Sequence, residues 1–261
     1  MIRVEAWGIA GSVQGAGRAG LAWLGQGRGG AVDLAALALA NRLVGNPEGA
    51  AGLETSGGLR LAIDGPTMIA ITGAAAGIEV VHGPPVGWGA PVVLPAGARL
   101  RIGRLLDGAR CYVAVRGGVV DAGGAMAIGP DPGVPAASQA AARLPLTHTL
   151  RLWPGPRQEW FAADAWQRLT QASFEVTVTS RVGVRLTGPQ VLRVRHGELP
   201  SEGLLEGAVQ VPPDGLPMIM LADHPTTGGY PVIAVVHDDD LAMAAQAAVG
   251  TTIRFAPARR P

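Results

Sequence analysis

The chain has no lysine: all 21 basic side chains among its 261 residues are arginine. A phosphate loop of the G-x-x-x-x-G-K-[ST] type needs that lysine and is excluded. Schiff-base chemistry, pyridoxal enzymes and S-x-x-K acylases fall for the same reason. Acidic side chains number 20, leaving a formal charge of +1. A near-neutral chain is a poor fit to a nucleic-acid binder that works by counterion release. Cysteine is nearly absent too. Cys111 stands alone, so no intramolecular disulfide can form, and a reducing compartment is the natural reading. It lies in the apolar run Cys111-Tyr-Val-Ala-Val115, where a buried, inert thiol is expected. No stretch reaches ~18 uninterrupted apolar residues. The opening Met1-Ile-Arg-Val-Glu-Ala-Trp7 lacks the basic-then-apolar layout of a signal peptide. The expectation is a cytoplasmic protein with no membrane and no nucleic-acid partner.

Glycine and proline are plentiful, at 39 and 21 residues. They punctuate short apolar runs at 59–64, 67–72, 91–94, 99–103, 110–116, 149–153, 191–195, 208–212, 217–222, 231–236 and 251–255. Strands at this spacing, with turn signals between them, predict a mainly β sandwich or barrel with a few short helices. Asp33 is a good N-cap for a helix over 34–44, which Gly45 ends. Residues 158–170 carry apolar positions at helical spacing after Pro154 and Pro156, and 239–248 starts at an aspartate cluster. The stretch 121–147, rich in Ala, Gly and Pro, reads as a loop or linker between two β-rich subdomains, 1–120 and 148–261.

Gly15-Ala-Gly-Arg-Ala-Gly20 matches G-x-G-x-x-G, but the dinucleotide version needs a helix directly behind it. Gly25, Gly27, Gly29 and Gly30 cannot open one, so a glycine-rich turn presenting Arg18 is the better reading. Asp238-Asp-Asp240 is read as a helix cap; no histidine or second acid stands at ligand spacing, and no metal site is expected. Of His82, His148, His196, His224 and His237, only His224 has a chemically dense neighbourhood. That neighbourhood is Asp223-His-Pro-Thr-Thr-Gly-Gly-Tyr-Pro231, between two apolar strands. A carboxylate, two hydroxyls and two glycines can form a ligand loop, the glycines admitting backbone N–H groups to an anion. The same residues can equally form a polar hairpin closed by Asp223 and Thr226. A second constellation, Ser180-Arg-Val-Gly-Val-Arg-Leu-Thr-Gly188, puts Arg181 and Arg185 four apart. On a strand they would share one side and grip a carboxylate or phosphate, or else serve as a charged strand edge.

These motifs carry a resemblance. Arg18-Ala-Gly20, Gly30-Ala-Val-Asp33, Ala40-Asn-Arg-Leu-Val-Gly-Asn46 and Leu53-Glu-Thr55 occur in order, with Asp33, Asn41, Asn46 and Glu54 as motif residues. Thr72-Gly-Ala74, Tyr112-Val-Ala-Val-Arg-Gly-Gly118, Pro154-Gly-Pro156 and Trp160-Phe161 follow. Then come 180–188, Gly207-Ala-Val-Gln-Val-Pro-Pro-Asp-Gly215 with Gln210, and 223–231 with Thr226, Thr227, Gly228, Gly229 and Tyr230. The sequence is similar over most of its length to the biotin-dependent carboxyltransferase family, whose members include allophanate hydrolase subunit 2, the C subunit of 5-oxoprolinase and KipA. The resemblance implies one carboxyltransferase-family unit over 1–261 with a cyclophilin-like β-barrel architecture.

It also implies partners: a protein like the B subunit of 5-oxoprolinase (KipI-like, allophanate hydrolase subunit 1-like) and an A-type subunit. The expected function is that of one subunit in an ATP-dependent 5-oxoprolinase-like amidohydrolase, opening 5-oxoproline to glutamate. ATP with Mg would be bound by the complex and the small-molecule substrate in a shared pocket. Asp223, Thr226 and Thr227 are the expected catalytic residues. Arg18, Arg181, Arg185, Gln210, Gly228, Gly229 and Tyr230 are the expected substrate or anion contacts. Two alternatives stand beside this: a carboxyltransferase component that takes carboxyl from biotin, and a non-catalytic KipA-like regulatory partner. The chain departs from the family pattern twice. A Gly-Ser-Arg-Ser-Thr-like motif, usual after the pair matching Gly117-Gly118, is absent, and Pro225 stands where glutamine is usual. Both changes remove groups expected to bind substrate.

Overall fold

Period-two alternation sets the strands. Arg99–Leu105 buries Leu100 and Ile102 and exposes Arg99 and Arg101, while Ser173–Thr179 buries Phe174 and Val176 between exposed neighbours. Cys111–Val115 is buried throughout, as a central strand must be. The computed structural model describes residues 1–121, 125–138, 141–142, 147–195, 197 and 199–259. The chain forms two compact units, one of Met1–Gly17 with Asp33–Pro145, the other of Arg18–Val32 with Leu146–Pro261.

The first unit holds two antiparallel sheets. The six-stranded one runs β10 (Val119–Asp121), β11 (Ala125–Ile128), β1 (Ile2–Ala6), β4 (Arg60–Ile63), β8 (Arg99–Leu105), β6 (Ala76–Val81). The five-stranded one runs β2 (Ser12–Gln14), β3 (Gly52–Thr55), β9 (Cys111–Val115), β5 (Thr67–Gly73), β7 (Val92–Leu94). Ile2, Leu61 and Leu100 of one sheet and Leu53, Ile69 and Val113 of the other share one core. Helix α1 (Leu34–Leu43) starts as its cap predicts: the Ala36 N–H donates to Asp33 Oδ1 at 2.9 Å. Its Ala40 and Leu43 pack with Ala70 and Ala114, small residues that let the helix approach the sheet closely. The segment 121–147, expected to be a linker, falls partly outside the described residues. Within it β11 pairs with β1 through Ile2↔Met126, so its start is strand and not loop.

The second unit is a closed seven-stranded barrel. Its order is β12 (Thr149–Pro154), β19 (Val232–Val236), β16 (Ala208–Gln210), β17 (Met218–Met220), β14 (Gly183–Thr187), β13 (Ser173–Thr179), β20 (Thr252–Pro257). The parallel pairing of β12 with β20 closes it, and closure removes the exposed sheet edges. Leu150, Phe174, Val184, Val209, Ile219 and Ile233 fill the interior. A short pair, β15 (Glu202–Gly203) with β18 (Thr227–Gly228), lies apart from the barrel sheet.

Three expectations need correction. The predicted helix 158–170 is broken into a 3-10 turn, Gln158–Trp160, and α2 (Ala165–Gln171), because Phe161 turns to extended backbone and bridges Arg193. The segment 191–195 is not a strand but carries that isolated bridge and single backbone bonds, such as the Val191 N–H to the Gly215 carbonyl at 2.9 Å. The aspartate cluster forms a 3-10 turn, Asp238–Asp240, before α3 (Leu241–Ala245), and Asp240 makes no side-chain cap. Its buried carboxylate instead takes the Arg151 backbone N–H at 2.6 Å and the Arg151 guanidinium at 2.6 Å. No helix among the described residues is long and apolar enough to cross a membrane.

Candidate functional site

The Asp223–Pro231 segment is not a tight hairpin. It leaves β17 beside Leu221 and reaches β19 only at Val232, carrying β18 on the way. Outward-facing Ala208, Met220 and Val232 make a small second core with Leu204, beneath this connection.

At its first end, Asp223 meets the other arginine-bearing motif. Arg181 grips the carboxylate in bidentate fashion, Nε to Oδ2 at 2.7 Å and Nη2 to Oδ1 at 3.0 Å. The backbone repeats the contact: the Asp223 N–H donates to the Arg181 carbonyl at 2.9 Å. Arg181 stands in a turn held by Ser180, whose Oγ accepts the N–H groups of Val182 and Gly183 at 3.2 Å each. A glycine-rich strap from residues 18–32 completes this end. The Gly29 N–H donates to the Ala222 carbonyl at 3.1 Å, and Arg181 Nη2 donates to the Gly30 carbonyl at 2.7 Å. Gly29 and Gly30 have φ of +58° and +81°, backbone that side-chain-bearing residues resist. Arg28 ties the strap to Glu206 at 2.8 Å.

The other end is packed on backbone. Glu202 pairs in register with Gly228, and the Leu204 N–H donates to the Thr226 carbonyl at 2.9 Å. A Cβ on Gly228 would lie 2.7 Å from Leu204 Cδ1 and 2.8 Å from Gln210 Nε2, so only glycine fits without a shift. Gln210 is buried and donates Nε2 to the Tyr230 carbonyl at 3.0 Å. It therefore holds the loop from beneath, where a direct substrate contact was expected. Thr226 is half-buried, and Thr227, Gly229 and Tyr230 are exposed. The two threonine hydroxyls have no protein partner among the described residues, so they are free to meet a ligand.

Other expectations shift. Arg181 and Arg185 do not form a common clamp. Only Arg185 is on β14, and it pairs with Asp214, whereas Arg181 precedes the strand and serves Asp223. Arg18 is exposed with no side-chain partner among the described residues, and behind it comes the 3-10 turn Ala22–Leu24, not the helix a dinucleotide loop needs. His224 is buried with Nδ1 2.7 Å from the Pro225 carbonyl, so it braces its own loop. His196 lies outside the described residues. Among the described residues no three His, Cys, Asp or Glu side chains are placed to hold a metal.

Asp33 and Glu54 belong to one polar network of the first unit, and Asn41 and Asn46 to another. Tyr112 donates its hydroxyl to Glu54 Oε2 at 2.8 Å and accepts the Asp33 N–H at 2.8 Å. Arg110 Nε lies 3.8 Å from Glu54 Oε1. Asn46 donates to Asn41 Oδ1 at 3.0 Å and to the Val115 carbonyl at 2.7 Å. Burial, with the Glu54 and Asp33 charges, pushes the Tyr112 hydroxyl well above its usual range. Burial likewise pushes the Cys111 thiol up to about 12, so it is no nucleophile at neutral pH.

Sequence reasoning missed the strap 27–30 and the pair of Arg157 with Glu202, Nε to Oε2 at 2.9 Å. The run of glycines around Arg28 was the available signal for the strap. Nothing in the local sequence marks the Arg157–Glu202 pair.

The closed barrel and its outer connection belong to a fold that comparison with known proteins places in one family. The family described as "Carboxyltransferase domain, subdomain A and B" matches residues 24–127 and 119–257, and the chain belongs to this family. It is 32% identical to the C subunit of 5-oxoprolinase from Escherichia coli (strain K12), over 98% of this chain and 90% of that protein. It is 27% identical to "Urea amidolyase" of Lachancea kluyveri, over 92% of this chain but 16% of that much longer protein. The crystal structure of TTHA0988 superposes with a TM-score of 0.85 at 33% identity, over 98% of this chain. The chain spans 55% of that structure's length.

Proposed function

We propose that the chain is one subunit of an ATP-dependent 5-oxoprolinase-like amidohydrolase that opens 5-oxoproline to glutamate. It works with a B-type partner and an A-type subunit. The observation that carries this reading is the near end-to-end similarity to a protein named as the C subunit of 5-oxoprolinase, covering 90% of that protein. The chain contributes the edge of a pocket. Thr226 and Thr227 offer hydroxyls to the substrate or a transferring phosphoryl group. Backbone N–H groups around Gly228 and Gly229 face developing negative charge, which is electrostatic stabilisation and not covalent catalysis. Asp223, locked by Arg181, fixes the start of the loop and sets the orientation of the hydroxyls. ATP and its Mg²⁺ would be bound by the assembled complex, with the partner subunits contributing to the site.

The test is phosphate release from ATP on addition of 5-oxoproline. The expected result is release with all three subunits and none when this chain is omitted. Equal release without this chain overturns the reading. A second reading, carboxyl transfer from a biotinylated carrier, is favoured by the carboxyltransferase description of the matched family. It predicts carboxylation of an amide or urea nitrogen only when carboxybiotin is supplied. A tight complex with neither activity would leave the KipA-like regulatory reading.

A further inference from the structure

In the first unit, β4, β8 and β6 lie side by side in the six-stranded sheet. Three charged residues stand in register across them, Arg60 opposite Arg101 and Arg101 opposite Glu79. All three are exposed, while Leu61, Leu100 and Ile102 belong to the core. Two residues away from each charge, in the same groove, come Gly58, Gly103 and Gly77. The charged row and the glycine row line an open groove of about 670 Å³. Small-molecule sites span about 300–1,000 Å³.

The charged row is unbalanced. Like charges directly opposite on neighbouring strands repel. Arg60 has no side-chain partner among the described residues to offset this. Arg101 reaches Glu79, but at 3.4 Å from Nη1 to Oε2, longer than the about 2.7–2.9 Å of a good charge-assisted bond. Other exposed arginines of this sheet are matched. Arg3 grips Asp64 through Nε at 3.0 Å and Nη2 at 2.9 Å, and Arg99 holds Glu5 at 3.1 Å. An anion between Arg60 and Arg101 would cancel their repulsion and take up donors that the chain leaves unused.

The glycine row is bare for two different reasons. A Cβ on Gly58 would lie 3.0 Å from the Gly8 Cα, and one on Gly103 3.3 Å from the Gly77 carbonyl oxygen, so backbone packing keeps both small. Gly77 has no such constraint. It sits in a β-bulge, but its φ is not left-handed, and a Cβ there would meet nothing within 4 Å. What its missing side chain does is keep the groove open, and glycine inside a strand can mark a close approach of ligand to backbone.

We propose that this groove binds a small phosphate monoester with a flat body, the phosphate between Arg60 and Arg101 and the body on the glycine row. Such a phosphate carries about −1.5 to −2 charge and three acceptor oxygens, which two guanidinium forks can share. A carboxylate brings less charge and one oxygen fewer. Bare backbone suits a flat ring, which can lie against the peptide planes where no side chain intervenes. The groove lies wholly within the first unit, and its ligand does not rest on the 5-oxoprolinase reading.

The experiment is calorimetric titration of the full chain at low salt with adenosine monophosphate, inorganic phosphate and adenosine. Wild type is expected to bind the monophosphate most tightly, phosphate more weakly and adenosine least. Arg60→Ala should weaken the monophosphate at least tenfold, as loss of a charged contact does. Gly77→Leu, which fills the groove, should weaken it as much while the variant still melts cooperatively, because the added side chain enters open space. Arg99→Ala removes the same charge from the same strand, but from an arginine that already holds an acid, and should change affinity less than about threefold. No binding by wild type overturns the proposal, as does wild-type affinity in Arg60→Ala. Equal losses in Arg60→Ala and Arg99→Ala would mean a diffuse positive field and overturn it too. So would phosphate bound as tightly as the monophosphate, or full affinity in Gly77→Leu, because either leaves the glycine row without a role.

Discussion

In the first unit Glu54, Tyr112 and Asn41 are fully buried, and each polar group meets another inside the core. In the second unit Thr227 and Tyr230 stand in solvent, and the buried residues around them, Gln210 and His224, bond to backbone of the same loop. Both draw on carboxylates, hydroxyls and amides, the first from residues spread between Asp33 and Tyr112, the second mainly from the run 223–231. The difference is where hydrogen-bonding capacity is spent. The first cluster spends it internally and leaves nothing for a ligand. The second fixes its frame with Arg181, Gln210 and His224 and leaves the threonine hydroxyls unspent. A polar motif that is closed on itself holds a fold; one that is braced from below and open above can hold a substrate.

The contrast breaks most directly at Glu54. Glu54→Ala leaves the Tyr112 hydroxyl and the Arg110 charge in the core without their carboxylate, and removing one member of a buried charged network costs about 3–5 kcal/mol. Urea unfolding measures this; a loss below 1 kcal/mol would mean that the network does not hold the first unit. Tyr112→Phe is milder. It removes the acceptor of the Asp33 N–H and the donor to Glu54, an expected loss of about 1–3 kcal/mol in the same assay.

Thr227→Val sharpens the other side. Stability should stay within about 0.5 kcal/mol, as for an exposed position. Turnover by the assembled enzyme should fall roughly tenfold, the worth of one hydrogen bond to a ligand. Unchanged turnover would remove Thr227 from the site. The smallest effect is one of pH. Burial pushes the Asp240 carboxyl up, but the side-chain and backbone hydrogen bonds from Arg151 outweigh it and hold the group below the usual carboxylate range. A lowered folded value contributes stability above the unfolded value of about 4 and loses it as pH falls through the folded one. Wild type should therefore exceed Asp240→Asn in melting temperature at neutral pH, with the gap closing below about pH 4. A gap that widens on acidification would contradict the assignment.

Local physics made much of the fold legible. Alternation marked strands such as Arg99–Leu105 and Ser173–Thr179, and Asp33 with Gly45 bounded α1 within a residue. Where the sequence misled, a long-range partner outweighed a local preference. Asp240 has the position of a cap but reaches back to Arg151, 89 residues away, and the 158–170 pattern breaks where Phe161 bridges Arg193. The candidate site was half legible. The loop 223–231 and Arg181 were each visible, but their union spans 42 residues, and no periodicity encodes it. The strap's place beside Asp223 and the burial of Gln210 were likewise set by tertiary contacts alone.

The central claim is that the Asp223 loop works and the Glu54 cluster only supports. The direct measurement is 5-oxoproline-dependent phosphate release by the complete three-subunit assembly containing Asp223→Asn, with the melting curve of the variant chain recorded alongside. The account predicts that release falls at least a hundredfold while the variant chain stays folded, losing no more than about 1 kcal/mol, the worth of one partly exposed ion pair. Full release by Asp223→Asn would contradict it.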